Sequence, residues 1–237
     1  MFLLLKNANV FAPTPLGIND ILICDEKIVA IAPDLVVSVP AEIKTIDLGG
    51  NMTVPGFIDG HVHLIGGGGE GGFATRTPEV AIGKLIEAGI TSVCGLLGTD
   101  AATRHIASLY AKTKALRSEG ISAWFFTGGY RVPSPTLTGN IGDDVTFLDA
   151  CIGLKTAISD HRSSQSTVDE LARIASQSRI GGMTSGKAGS VVWQDSMPIG
   201  REPRARPTSP VVPSWLKRPR RWKWPALRSR ASWMAVR

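Results

Sequence analysis

Val54-Pro55-Gly56-Phe57-Ile58-Asp59-Gly60-His61-Val62-His63-Leu64-Ile65-Gly66-Gly67-Gly68-Gly69-Glu70 decides how the chain is read. A short apolar run ends in two histidines one residue apart, then come four glycines and a carboxylate. On a β-strand, residues i and i+2 share a face, so His61 and His63 project side by side. Two neutral imidazoles in that arrangement can hold one metal ion, and imidazole suits zinc and its neighbours. Paired histidines on a strand can equally be hydrogen-bonded surface residues, and the dipeptide spacing leaves both readings open. The glycines allow backbone to come close to whatever lies above the histidines.

Outward from this stretch the chain has the length of one large domain or two ordinary ones, 237 residues, and its 43% hydrophobic content supports a core. Cys24, Cys94 and Cys151 are far apart, odd in number and without a CxxC spacing. That argues against a disulfide framework or a zinc finger and fits a reducing compartment. The opening Met1–Lys6 is too short for a signal peptide and no run is long enough to span a membrane, so a soluble cytoplasmic protein is expected. The net charge of +6 is unevenly distributed. Residues 193–237 carry eleven Lys/Arg against two acids and five of the six tryptophans, so everything before them nets −3.

Residues 1–53 read as a small β unit, with β-branched runs at 20–24, 27–31 and 44–48 separated by polar pairs and glycines. From Val54 the pattern alternates between strand and helix. Thr77-Pro78-Glu79 has the signature of a helix start, with the helix closing at Gly89. A strand follows at 90–97, and then a helix capped by Asp100 with Ile106, Leu109, Thr113 and Leu116 on one face. Strand 121–127, a Gly/Pro-rich loop to 142, a short helix at 143–148 and a strand at 151–159 come next. Thr167 and Glu170 form a capping box for a further helix, and a fifth strand starts near Gly189. Alternation of this kind predicts an α/β fold with a parallel sheet, foremost a (β/α)8 TIM-like barrel. A full barrel takes about 250 residues, whereas 54–192 hold four units and the start of a fifth, so the barrel in this chain is incomplete.

Function in such barrels collects at the C-terminal ends of the strands, where His61 and His63 fall. Lys155 lies in an otherwise apolar strand, where an unpaired ammonium is costly. Either its stem is buried and its head reaches the rim, or it is neutral and carboxylated to a carbamate.

The segments PGFIDGHVHLIGGGGEGG, TRTPEVAIGKLIEAGITSVCGLLGTD, GISAWFFTGGYRVPS and GLKTAISDHRS together resemble the isoaspartyl dipeptidases of the amidohydrolase superfamily. The likeness runs over residues 1–192; the HxH pair is shared across the superfamily, while the glycine run with its glutamate and the Ser-Asp-His-Arg-Ser segment are more specific. It implies hydrolysis of β-aspartyl dipeptides by a barrel enzyme with a small β-sandwich, working as a homo-oligomer with two zinc ions. It also implies that His61 and His63 bind the first ion, that Lys155, as N6-carboxylysine, bridges both, and that a bridging hydroxide attacks. By the same resemblance Glu70 grips the substrate's α-amino group with Thr99 nearby, Tyr130 is the catalytic donor to the oxyanion, and Arg162 pairs with a substrate carboxylate. His105 and His161 match no ligand position of the family.

The family also needs two histidines on the fifth and sixth strands and an aspartate on the eighth. Here the fifth strand reads Val192-Trp193-Gln194, and the resemblance stops. Residues 193–237, rich in Arg, Pro and Trp, read as an out-of-frame translation and are expected to be disordered. The strip Trp215–Trp224 offers a second reading, a nucleic-acid- or membrane-binding tail on a non-catalytic fragment. A third keeps the enzyme class and changes the substrate to a cyclic amide, such as a hydantoin or dihydroorotate, which has no free α-amino group for Glu70.

Overall fold

The computed structural model describes residues 1–158, 160–195 and 233–236. Its contacts divide the described residues into two compact units, one within Met1–Ile58, Leu85–Ser92 and Pro225–Arg237, the other within Asp59–Lys84 and Val93–Trp224.

The first unit is built on β1 (Phe2–Phe11), β2 (Pro15–Cys24), β3 (Lys27–Ala32), β4 (Ile43–Asp47) and β5 (Met52–Pro55). β1 pairs antiparallel with β2 and β2 with β3, while β4 and β5 run parallel to β1. Ala8, Val10 and Ile21 are its buried centre, with Leu5, Ile23, Ile28, Ile31 and Leu48 packed against them. The expected strands at 20–24, 27–31 and 44–48 are thus present, and the N-terminal apolar run extends them into the ten-residue β1.

The second sheet holds the strands of the expected barrel. They are β6 (Phe57–Val62), β7 (Ile90–Gly95), β8 (Ser122–Gly128), β9 (Cys151–Ile158) and β10 (Ser190–Asp195). Helices α1 (Ile82–Glu87), α2 (Ile106–Ser118), α3 (Ile141–Phe147) and α4 (Val168–Ser185) connect them one by one. The sheet order is β10-β9-β8-β7-β6, and β8, β9 and β10 pair in parallel. Sequential strands laid side by side with a helix after each are four units of a (β/α) barrel plus a fifth strand. A last strand, β11 (Trp233–Val236), pairs antiparallel with β5 of the first sheet. Apart from residues 193–195 and 233–236, the expected tail lies outside the described residues, as does the Trp215–Trp224 strip.

Three local expectations are corrected. The helix expected from Pro78 begins only at Ile82, because the chain ahead of it is bonded elsewhere: Thr77 N donates to Gly67 O and Val80 N to Leu64 O. Asp100 accepts from the backbone N–H groups of Ala102 and Thr103 in a turn, and α2 starts after His105 instead. Helix α3 begins two residues early, because Asn140 accepts from Asp143 N and caps it. The face Ile106, Leu109, Thr113 and Leu116 is buried as its spacing requires. The Thr167–Glu170 capping box is formed, and α4 continues to a left-handed Gly186.

Candidate active site

Apart from Lys155, each expected site side chain sits at the C-terminal end of a strand or in the loop that follows it. His61 is the last residue but one of β6 and His63 comes just after the strand; their ring centroids are 5.8 Å apart, edge to face. Burial, then the nearby Lys155 charge, holds both imidazoles below the ordinary histidine pKa, so the ligand-competent neutral form is favoured. His63 Nδ1 is buried without a hydrogen-bond partner. The ring fits against the backbone that follows β7: a Cβ added at Gly98 would stand 3.1 Å from His63 Cε1.

Past His63 the glycine run folds back on residues 75–77. Thr77 Oγ1 accepts from Gly67 N at 2.8 Å, and a Cβ on Gly66, whose φ is +81°, would collide with Thr77 O. The run delivers Glu70 to a cleft of about 170 Å³ that it shares with His63, Thr99, Tyr130, Arg162 and Gln194. Thr99 Oγ1 donates to Glu70 Oε1 at 3.0 Å. Arg162 Nη1 donates to both Glu70 oxygens, while its Nε and Nη2 donate to the buried Asp160 at 2.9 and 2.7 Å. The hydrogen bonds from Arg162 hold the Glu70 carboxyl below its usual pKa, and those to Asp160 and Glu70 raise that of Arg162.

Lys155, in the middle of β9, is fully buried, and burial lowers its pKa to about 8. Its Nζ donates to Gln194 Oε1 at 2.5 Å and lies 5.1 Å from the centre of the Tyr130 ring. The pairing of β9 with β10 puts Val192 opposite Lys155 and Gln194 two residues further along. Tyr130 is 6% exposed, and burial raises its phenol pKa, so it remains a proton donor. Its ring also lies 5.2 Å from the Arg162 guanidinium carbon.

The structure therefore brings Glu70, Thr99, Tyr130 and Arg162 together, with His61, His63 and Lys155 beside them. His105 stands at the N-terminus of α2 and His161 is mostly exposed. The sequence reading missed Gln194 as a partner of Lys155, and it missed Arg104. The latter carried one local signal, an acidic residue four positions earlier at Asp100.

The donor set fits the expected zinc pair in part. Two neutral imidazoles, one with an orphaned buried nitrogen, and a buried amine of lowered pKa suit one ion and a carbamate. Among the described residues no three His, Cys, Asp or Glu side chains converge, so a closed two-ion site is not formed by them.

No family model matches the chain. Solved structures do. L-hydantoinase from Arthrobacter aurescens, 21% identical, has a TM-score of 0.51 over 77% of this chain and 39% of that one, a likeness of fold alone. A beta-aspartyl dipeptidase from the thermophilic, keratin-degrading Fervidobacterium islandicum AW-1 is 47% identical, with a TM-score of 0.79 over 81% of this chain and 53% of that one. The beta-aspartyl dipeptidase from the same source in complex with β-Asp-Leu gives 47% and 0.78, covering 81% and 50%. By fold, then, the chain is amidohydrolase-like. Its specific resemblance is to the beta-aspartyl dipeptidases, and it spans about half the length of those it matches.

Proposed function

We propose that this chain recognises β-aspartyl dipeptides and contributes to hydrolysis of their isopeptide bond. The observation that carries the reading is that Thr99 and Arg162 meet on Glu70, which a glycine loop carries into the cleft beside His63, in a chain 47% identical to dipeptidases of that specificity.

The roles follow from the side chains. Glu70, kept ionised by Arg162, receives the substrate's α-ammonium, and Thr99 fixes the orientation of its carboxylate. Arg162, with its planar fork, takes a substrate carboxylate. Tyr130, kept protonated by burial, donates to the oxygen of the scissile carbonyl as negative charge builds there. His61, His63 and a carboxylated Lys155 would hold zinc. A divalent ion there supplies Lewis acidity and lowers the pKa of water towards neutrality. Among the described residues no helix is long and apolar enough to cross a membrane. The three separated cysteines suit a reducing compartment, for which we propose the cytoplasm.

The test is a binding panel by equilibrium dialysis with β-Asp-Leu, hydantoin and dihydroorotate. The dipeptide is retained in preference to both cyclic amides. Retention of a cyclic amide in preference to β-Asp-Leu contradicts the reading and favours the cyclic-amide class.

A further inference from the structure

The proposed function leaves one buried cation beside the cleft unused. Arg104 is 5% exposed and lies just before α2. Its Nε donates to Ile65 O at 3.1 Å, and its Nη2 donates to Gly67 O at 3.0 Å and Thr77 O at 3.2 Å. Its Nη1 donates to Asp100 Oδ2 at 3.1 Å. These four acceptors belong to three separate segments. Ile65 and Gly67 lie on the outgoing arm of the loop that ends in Glu70, Thr77 on its return, and Asp100 next to Thr99. A glycine run has little conformational preference of its own, so an outside group must fix its path. A guanidinium spreads its donors over a rigid planar fork and so can span carbonyls of separate segments, whereas an ammonium presents its donors from a single atom.

We propose that Arg104 is a positioning residue for substrate recognition: it ties the Gly66–Glu70 loop to the Thr99 segment, so that the Glu70 carboxylate stands where Thr99 and Arg162 meet it. The hydrogen bonds of Arg104 go to Asp100 and to backbone carbonyls, none to Glu70, so it acts through the backbone it holds. The inference rests on the β-aspartyl dipeptide reading for its ligand, but not for the mechanical link.

The experiment has two arms on the full chain. In the first, β-Asp-Leu affinity is measured by titration calorimetry for wild type, Arg104→Gln, Glu70→Gln and the double variant. Arg104→Gln weakens binding by about tenfold on its own, but by less than about twofold when Glu70 is already changed, because both act through one group. Independent effects that multiply in the double variant overturn the proposal, since a general loss of structure behaves that way. Arg104→Lys, which keeps the charge and loses the fork, gives a smaller loss and serves if Arg104→Gln does not fold. In the second arm, hydrogen exchange of Arg104→Lys is compared with wild type. Amides of 65–77 exchange faster while those of β8 and β9 do not change. Acceleration spread evenly over the unit, or none in 65–77, overturns the proposal. If wild type binds no β-Asp-Leu, the substrate reading has failed, and the exchange arm still decides the link.

Discussion

Arg162 and Glu70 lie 92 residues apart and face each other in a forked ion pair, Nη1 to Oε1 at 2.7 Å and to Oε2 at 2.9 Å. The two groups proposed to grip opposite charges of the substrate therefore grip each other when no ligand is between them. A zwitterion can replace that pair with two of its own, whereas a ligand with one charge leaves the other group uncompensated. Removing one member should thus cost affinity. Glu70→Gln and Arg162→Lys are each expected to weaken β-Asp-Leu binding by about 10- to 100-fold, the scale of a charge-assisted hydrogen bond. Calorimetry checks this, and a loss below twofold for both counts against the assignment.

Lys155 gives a pH prediction. Burial lowers its folded pKa to about 8 from the ordinary lysine value of 10.5. Below pH about 8 the folded chain must carry a buried ammonium that the unfolded chain leaves in water, so the penalty is complete there. Between about 8 and 10.5 the unfolded chain binds more protons, and stability rises with pH. Lys155→Met removes the group and with it this slope. The difference in urea-unfolding free energy between variant and wild type, measured without metal, should shrink by roughly 2–3 kcal/mol from pH 7 to pH 10.5. A difference that does not vary with pH contradicts the burial of a titrating amine.

A methyl group at Gly98 would press on the His63 ring, its Cβ standing 3.1 Å from His63 Cε1, so the imidazole must give way by a few tenths of an ångström. Gly98→Ala is expected to turn the imidazole away from His61 and weaken zinc binding by about tenfold, with a modest loss of stability. Competition with a chromogenic chelator measures it. Unchanged zinc affinity would remove His63 from the metal assignment.

Asp144 is fully buried and accepts from the backbone N–H groups of Leu137 and Thr138 and from the hydroxyls of Thr127 and Thr138. It anchors the loop between Tyr130 and α3 to the end of β8. Asp144→Ala strands the backbone donors of Leu137 and Thr138 and leaves the two hydroxyls only Pro135 O and Asn140 O, and should destabilise the chain by about 3 kcal/mol in urea unfolding. A change below about 1 kcal/mol would mean that water replaces the carboxylate.

What the sequence made legible was what is local. The Thr167–Glu170 box works across three residues, the α2 face repeats with the helical period, and β-branched runs between turn residues mark strands. Thr77 was misread because its partner is Gly67, ten residues earlier and across a loop, so its helix-start signature was outweighed by a tertiary bond. Arg104 was missed for the same reason, its acceptors at Ile65 and Gly67 being 39 and 37 residues away. The Gln194–Lys155 contact depends on the register of two parallel strands, which no single-strand pattern encodes. Resemblance supplied the candidate site residues that periodicity could not; of these His63, Glu70, Thr99, Tyr130 and Arg162 line one cleft.

The central claim is that this cleft selects the β-linked aspartyl peptide. Its most direct measurement is calorimetric titration of the purified chain with β-Asp-Leu and with the α-linked isomer of the same composition. The account predicts saturable binding of the β-linked peptide at least about tenfold tighter than that of the α-linked one, a preference worth roughly 1.4 kcal/mol. Equal affinity for the two isomers, or binding of neither, would contradict it.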